Sequence, residues 1–293
     1  MRLALASYRP DWHLDWDALA DKLERWVADA SGQGADLCVF PEYAGIEAAL
    51  IGEPAACPGP TVWRDAMCAA ADRWADLNTT LARSHKVHIL AGSLCAQDAG
   101  KTVNRTWLCG PGGDICVQDK LIPTPYERDD LGLTGGRTLN IAETSIGRLG
   151  ILICYDSEFP VLARTLAAAG ADLILVPSCT DFPAGQTRVR QSCRARAIEQ
   201  QIAVAQAPLV GQVAGCDVVD TSTGRAGLFC PPDHGLPPSG ILAEGTLDTP
   251  GWTIADLGVA LTSSARRAGQ VGNFDHWDEQ ATPPVSLTYS AIA

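Results

Sequence analysis

The sequence predicts an α/β fold assembled from two related halves, each supplying sheet with helices outside it. Three observations carry this expectation. Segments that read as strands alternate with segments of helical period along most of the chain. The octet at 34–41, GADLCVFP, returns at 170–177 as GADLILVP, with Gly, Ala, Asp, Leu and Pro at the same places. The strand ahead of it returns as well: RLALASY at 2–8 resembles RLGILICY at 148–155. One such octet is within reach of chance, but the two echoes together read as a repeated strand–helix–strand unit.

The elements follow in order. RLALASY (2–8) is the first strand. Residues 15–30 have helical spacing, with Leu19, Leu23, Trp26, Val27 and Ala30 on one face, and Gly32 and Gly34 end the helix. ADLCVF (35–40) is a second buried strand, 61–84 a second helix and KVHILAGSL (86–94) a strand. NRTWLCG, the turn PGGD and ICVQDK predict a hairpin over 104–120, followed by a loop-rich stretch at 121–146. The second half opens with the strand 148–155. A helix over 158–169 follows, with Asp156 or Ser157 as cap and Gly170 as stop. Then come the strand 170–177, a helix over 186–200, a strand over 201–210 and a hairpin over 211–230. A proline-rich loop (CPPDHGLPPSG), a last strand WTIADL and a short helix at 259–268 complete the pattern. The tail from 269 shows little pattern, and its DHWDEQ stretch suits a surface or a dimer contact. No linker cuts the chain, so one domain over 1–293 with a tail at 269–293 is expected.

Composition narrows the function classes. Of 293 residues, 46% are hydrophobic and 19% charged, a balance that folds and buries a core. The net charge of −12 repels nucleic acid and anionic membranes, so neither is expected as a partner. The N-terminal MRLALASYRP is broken too soon by Arg9 and Pro10 for a signal peptide, and no apolar run reaches a membrane span. Eleven cysteines, an odd number with no CxxC pair, read as reduced thiols, and a cytoplasmic protein is expected. Histidines lack metal-ligand spacing except His85 and His88, which read as structural or surface residues, so no metal is expected. Familiar nucleotide and hydrolase signatures fail: GKT at 100–102 lacks its upstream glycine because Cys95 stands there. No GxGxxG follows a strand and no GxSxG elbow exists.

Four residues carry chemical promise. Cys154 ends a strand and precedes a helix, a place where free N–H groups and the helix dipole are expected to lower a thiol pKa. Glu42 follows the echoed strand through Pro41, at the sheet edge where open α/β folds place their sites. Lys120 ends the predicted hairpin, where it would favour a thiolate or donate to an oxyanion. Glu127 lies seven residues on, in a loop steered by Pro123 and Pro125. Taken singly, each has an ordinary structural explanation. The other ten cysteines read as packed thiols, and the arginines at 188, 190, 194 and 196 as partners in structural ion pairs.

Together, FPEYA around Glu42, DKLIPTPYE around Lys120 and ICYDSEFP around Cys154 resemble the three signature segments of the nitrilase superfamily, the carbon–nitrogen hydrolases, in order and spacing. Asn104, Gly135-Gly136, GADLILVPS and RARAIEQQ (194–201) extend the resemblance over about residues 1–260. It implies a four-layer α-β-β-α sandwich, homodimeric or larger, that needs no cofactor. It implies Glu42 as general base, Cys154 as nucleophile, Lys120 with the Tyr155 N–H as oxyanion donors, and Glu127 as the glutamate that positions the lysine. Thr180, Asp181 and Phe182 follow the second echoed strand and are expected at the site entrance. Tyr155-Asp156 after the cysteine resembles the amidase branches rather than true nitrilases, whose signature continues Trp-Glu. Those amidase branches often carry arginine where this chain has Glu158 and glutamate where it has Val161, so Glu158 is expected to tune the pocket's charge. The expected activity is hydrolysis of a small linear carboxamide to acid and ammonia. Carbamoyl or nitrile hydrolysis, an inactive ligand-binding relative, and a hydrolase using His234 as base are the competing expectations.

Overall fold

The computed structural model describes residues 1–52, 59–258, 260–281 and 286–290. The first half runs β1 (Arg2–Ser7), α1 (Trp16–Gly32), β2 (Leu37–Phe40), α2 (Pro60–His85), β3 (His88–Asp98), β4 (Lys101–Cys109) and β5 (Ile115–Asp119). A short helix α3 (Pro125–Asp129) leads to the second half: β6 (Ile141–Thr144), β7 (Gly147–Ile151), α4 (Pro160–Ala168), β8 (Leu173–Ser178), α5 (Pro183–Gln200) and β9 (Ala203–Pro208). Then follow β10 (Gly211–Gln212), β11 (Thr221–Ser222), β12 (Gly227–Phe229), β13 (Ile241–Glu244), β14 (Gly251–Asp256) and α6 (Ala260–Ala268). Two six-stranded sheets form among the described residues, in the orders β14-β1-β2-β3-β4-β5 and β13-β12-β9-β8-β7-β6, beside a small β10-β11 ribbon.

The echo in the sequence is an echo in topology. In the first sheet β1 pairs antiparallel with β14 and parallel with β2, β2 pairs parallel with β3, and β3-β4 and β4-β5 are antiparallel. In the second, β7 pairs antiparallel with β6 and parallel with β8, β8 pairs parallel with β9, and β9-β12 and β12-β13 are antiparallel. The pairing sequence is the same in both halves. Only the outer strand differs in origin, since β14 comes from the far end of the chain.

The layers follow from period-two alternation. Ala4, Ala6, Cys38, Phe40, Ile89 and Ala91 share one apolar cluster with Leu19, Leu23 and Val27 of α1 and Met67 and Trp74 of α2. The residues between them in sequence, Leu3, Leu5, Leu37, Val39 and Leu90, join the opposite cluster with Leu149, Ile151, Leu173 and Leu175 of the second sheet. That cluster also holds Ala163 and Leu166 of α4 and Val189 and Cys193 of α5. The result is helices, sheet, sheet, helices. Each leucine in the middle layer is fully buried, contributing roughly 1.5–3 kcal/mol.

Several boundaries differ from the sequence expectation. The stretch 121–146 contains α3 and β6, and the region 211–230 is not one hairpin. It forms the β10-β11 ribbon, and then β12 joins the second sheet between β9 and β13. The helix after Cys154 begins at Pro160, not 158, because Cys154–Glu158 coil into a 3₁₀ turn. Neither expected cap holds: Ser157 Oγ donates to the Cys154 carbonyl at 2.6 Å, and Asp156 is taken up by the lysine loop described below. In the tail, the Phe274 ring lies 4.4 Å from the Arg164 guanidinium and 3.9 Å from that of Arg266, so it packs against its own chain. Parts of the expected tail and the first residue of the expected 259–268 helix lie outside the described residues, as does Cys57; the other ten cysteines are free thiols.

Candidate active site

The C-terminal ends of β2, β5, β7 and β8 converge where the two sheets face each other. Each end delivers one group, and local sequence explains each delivery. After β2 the chain turns at Pro41, Glu42 and Tyr43, and Tyr43 takes φ 57°. This turn passes so close to β3 that a Cβ at Gly92 would sit 2.5 Å from the Pro41 carbonyl oxygen; Gly92 also has φ +74°. Lys120 follows β5, and its N–H donates to the Asn104 carbonyl at 2.8 Å. Glu127 sits in α3, held by a capping box with Thr124.

Cys154 adopts φ 47°, a left-handed conformation that costs a non-glycine residue on the order of 1–3 kcal/mol. Asp156 pays this turn back in position: its carboxylate accepts from Leu121 N–H at 3.0 Å and Ile122 N–H at 2.8 Å. The turn that carries the thiol is thereby tied to the loop that carries the lysine. Burial raises the Asp156 carboxyl to about 6, against the lowering pull of those two amides.

The charged groups interlock. Lys120 Nζ lies 2.8 Å from Glu42 Oε1 and 2.6 Å from Glu127 Oε2. Asn104 Nδ2 donates to Glu42 Oε1 at 3.0 Å and to Glu127 Oε1 at 2.9 Å. Glu127 also accepts from Tyr43 Oη at 2.8 Å and Thr124 N–H at 2.7 Å, while Glu42 Oε2 accepts from Cys179 N–H at 3.0 Å. Glu42, Lys120 and Glu127 are all essentially inaccessible to solvent.

The two glutamates share one lysine and titrate apart. Burial raises both. At Glu127 the ammonium and its further donors outweigh burial and hold the carboxyl below its usual range. At Glu42 burial prevails over the lysine, the charge of Glu127 adds to it, and the carboxyl rises to about 7. Burial would lower the Lys120 ammonium, but Glu127 and Glu42 hold it well above the usual lysine value. The Cys154 thiol is pushed well up, first by burial and then by the charge of Glu42, with Lys120 opposing. This corrects the expectation of a thiol pKa lowered by a helix start: a buried 3₁₀ turn beside a carboxylate does not supply that field. The resting thiol keeps its proton, and its S–H points to the Cys179 carbonyl at 3.5 Å.

A cavity of about 360 Å³ opens over these groups. Glu42, Lys120, Glu127 and Cys154 line it, and so do Tyr155, Thr180, Asp181, Phe182 and Glu158. All eight sequence-predicted site residues are therefore brought together. Thr180 lends little polarity to it, because its hydroxyl donates to the Thr223 carbonyl at 2.8 Å. His234 is exposed and lines no part of this cavity, and no histidine among the described residues does. Sequence reasoning did not foresee that Tyr43 reaches Glu127, that the Cys179 amide reaches Glu42 or that Asp156 ties the cysteine turn to the lysine loop, and placed Asn104 only as a point of resemblance. Tyr43 adjoins Glu42, but nothing in the sequence says its hydroxyl reaches Glu127. No group of three His, Cys, Asp or Glu suited to a metal ion gathers among the described residues. No helix among the described residues is long and apolar enough to cross a membrane.

Comparison with known proteins agrees with this arrangement. The sequence profile described as carbon-nitrogen hydrolase matches residues 2–226. The chain is 30% identical over 271 residues to the probable hydrolase YhcX of Bacillus subtilis (strain 168), covering 92% of this chain and 52% of that one. It thus spans about half the length of that relative. It is 27% identical over 200 residues to the omega-amidase NIT2 of Danio rerio, covering 64% and 68% respectively. A cysteine-to-alanine mutant of the Nesterenkonia AN1 amidase, of the nitrilase superfamily, superposes with a TM-score of 0.67 at 25% identity, covering 92% of this chain and 94% of that one. The two-sheet sandwich, the cysteine in the turn after β7 and the matched profile lead to one conclusion: this chain belongs to the carbon–nitrogen hydrolase family, within the nitrilase superfamily.

Proposed function

We propose that this chain is an amidase that hydrolyses the carbon–nitrogen bond of a small linear carboxamide through a Cys154 thioester, releasing ammonia. The observation that carries the reading is a buried ammonium held at 2.8 and 2.6 Å between two glutamates in the cavity that Cys154 lines; burial raises both the Cys154 thiol and the Glu42 carboxyl, the latter to about 7. A base with that value accepts a proton at neutral pH and returns it readily.

The chemistry follows from the groups present. Glu42 takes the S–H proton as Cys154 Sγ bonds to the amide carbon, and the carbonyl π electrons move onto oxygen. Lys120 Nζ and the Tyr155 N–H stabilise that oxyanion. The oxyanion collapses, the C–N bond breaks, and protonated Glu42 gives its proton to the leaving nitrogen as ammonia. Water then attacks the thioester, Glu42 takes its proton, and the acid leaves as the thiol is restored. Glu127 holds Lys120 in place and supplies the charge that raises Glu42. The amidase names carried by NIT2 and the Nesterenkonia protein support the amide over the nitrile. Self-association into a homodimer or larger oligomer is part of the proposal and rests on the family match. Light scattering of the purified chain tests that part.

Ammonia release from a panel of amides, ureido compounds and nitriles, with Cys154→Ala beside the parent chain, tests the reading. Ammonia from amides that vanishes in the variant supports it. Carbon dioxide with ammonia from ureido compounds, or turnover of nitriles alone, would replace the amide with those substrates.

A further inference from the structure

The cavity over Cys154 is charged unevenly. Five acids line it, Glu42, Glu127, Glu158, Asp181 and Asp217, against only Lys120 and Arg188. Lys120 is already matched by Glu42 and Glu127. Arg188 stands at the mouth with its side chain 62% exposed, and its Nε lies 3.5 Å from Glu158 Oε2. Two acids are left over. Neither Asp181 nor Asp217 has a side-chain hydrogen bond or ion pair among the described residues, and Asp217 Oδ1 is a fully buried acceptor with no partner. Such an atom costs stability unless a donor reaches it.

Both acids line the cavity together with Tyr126. Tyr126 Oη donates to the Asp217 backbone carbonyl at 3.3 Å. Its hydroxyl is pushed up to about 12, first by burial and then by the charges of Asp130, Asp217 and Asp181 among others. Asp181 itself is raised by burial and by nearby Asp220. The rings of Tyr126, Tyr155 and Phe182 line the same cavity. They offer apolar faces to a methylene chain and aromatic faces to a cation.

We infer that the substrate's far end, away from the scissile amide, carries an ammonium group received by Asp217 and Asp181. The substrate class is then an ω-amino carboxamide. This inference rests on the amidase reading and adds the charge of the side chain. A carboxylate there would meet two unpaired acids, while the one nearby cation is engaged by Glu158.

Three probes differ only at that end: 5-aminopentanamide, hexanamide and glutaramate. Calorimetry on the Cys154→Ala chain reads binding without turnover, and ammonia release from the parent chain reads kcat/KM. The inference expects 5-aminopentanamide to bind on the order of 10–100-fold more tightly than hexanamide, the range of one or two charged hydrogen bonds, and glutaramate to bind worst. Asp217→Asn should cut the ratio of 5-aminopentanamide to hexanamide affinity by about tenfold. Asp181→Asn provides a second variant should Asp217→Asn fold poorly, and should lower the same ratio. Equal binding of the first two probes, preference for glutaramate, binding of none, or a ratio unmoved in both variants would overturn the inference. Hydrolysis of all three without preference overturns it and leaves the amidase reading standing. Ammonium-selective binding with no hydrolysis of any amide overturns the amidase reading and leaves the charge assignment standing.

Discussion

In the proposed mechanism Glu42 is the residue on which the chemistry turns, because its environment sets when it can act. Its carboxyl sits at about 7 and must be deprotonated to take the thiol proton. Activity is therefore predicted to fall about tenfold per pH unit below that value and to flatten above it. A kcat/KM profile flat down to pH 5 would contradict this. Glu42→Gln should lower kcat by about 10²–10⁴-fold, the usual worth of a general base. Glu127 is predicted to act through its charge. Burial comes first in raising Glu42, but Glu127 adds to it, so Glu127→Gln should move the acid limb to lower pH while slowing turnover. A limb that moves upward would mean Glu127 does not face Glu42 electrostatically. Asp156 makes a different kind of contribution, through two backbone amides of the lysine loop. Asp156→Ala leaves both part-buried amides without that partner and should cost about 1–3 kcal/mol, read as a lower midpoint in urea, together with a lower kcat.

At the scale of the element, the site depends on turns rather than on regular structure. Three left-handed or crowded positions shape it: Tyr43 at φ 57°, Cys154 at φ 47° and Gly92 at φ +74°. Gly92→Ala is predicted to destabilise the chain by more than about 1 kcal/mol, the ordinary cost of alanine where φ is positive, because its Cβ would also meet the Pro41 carbonyl. Thermal unfolding would show it, and an unchanged midpoint would mean that the turn yields. These turns also mark where the sequence was readable and where it was not. The parallel strands β1, β2, β8 and β9 were legible because burial on both faces makes them continuous apolar runs. The edge strands β6 and β13 were not, since IAET and ILAE are short and mixed. The true start of α4 was hidden because Asp156 and Ser157, good caps by type, spend their side chains on tertiary partners. Of the candidate site, Glu42, Lys120, Glu127 and Cys154 were legible by segment order. Tyr43 and the Cys179 amide were not, because each reaches its glutamate only through the fold: 84 residues separate Tyr43 from Glu127 and 137 separate Cys179 from Glu42.

At the scale of the molecule, the active groups straddle the two sheets. Glu42 and Lys120 come from the first and Cys154 and Cys179 from the second, so the site exists only while the sheets stay packed. The leucines between the sheets hold that register. Leu5, fully buried in the middle layer, is predicted to cost about 2–5 kcal/mol when replaced by alanine, and loss of activity on heating should coincide with loss of sheet signal in circular dichroism. Activity lost well before the sheets melt would place the weak point in the site's turns. The internal repeat gives the same picture a geometric reason. Glu42 follows Pro41 at the end of β2, and Ser178 follows Pro177 at the matching end of β8. The next residue, Cys179, donates its amide to Glu42. The two copies of one octet thus meet at Glu42, the proposed base.

The most direct test is the mass of the intact chain, acid-quenched during turnover of a hydrolysed amide, with Cys154→Ala alongside. The account predicts a species heavier by the acyl group minus one hydrogen, located at Cys154 by peptide mapping and absent from the variant. Turnover with no acyl species, and ammonia release that survives in Cys154→Ala, would contradict it.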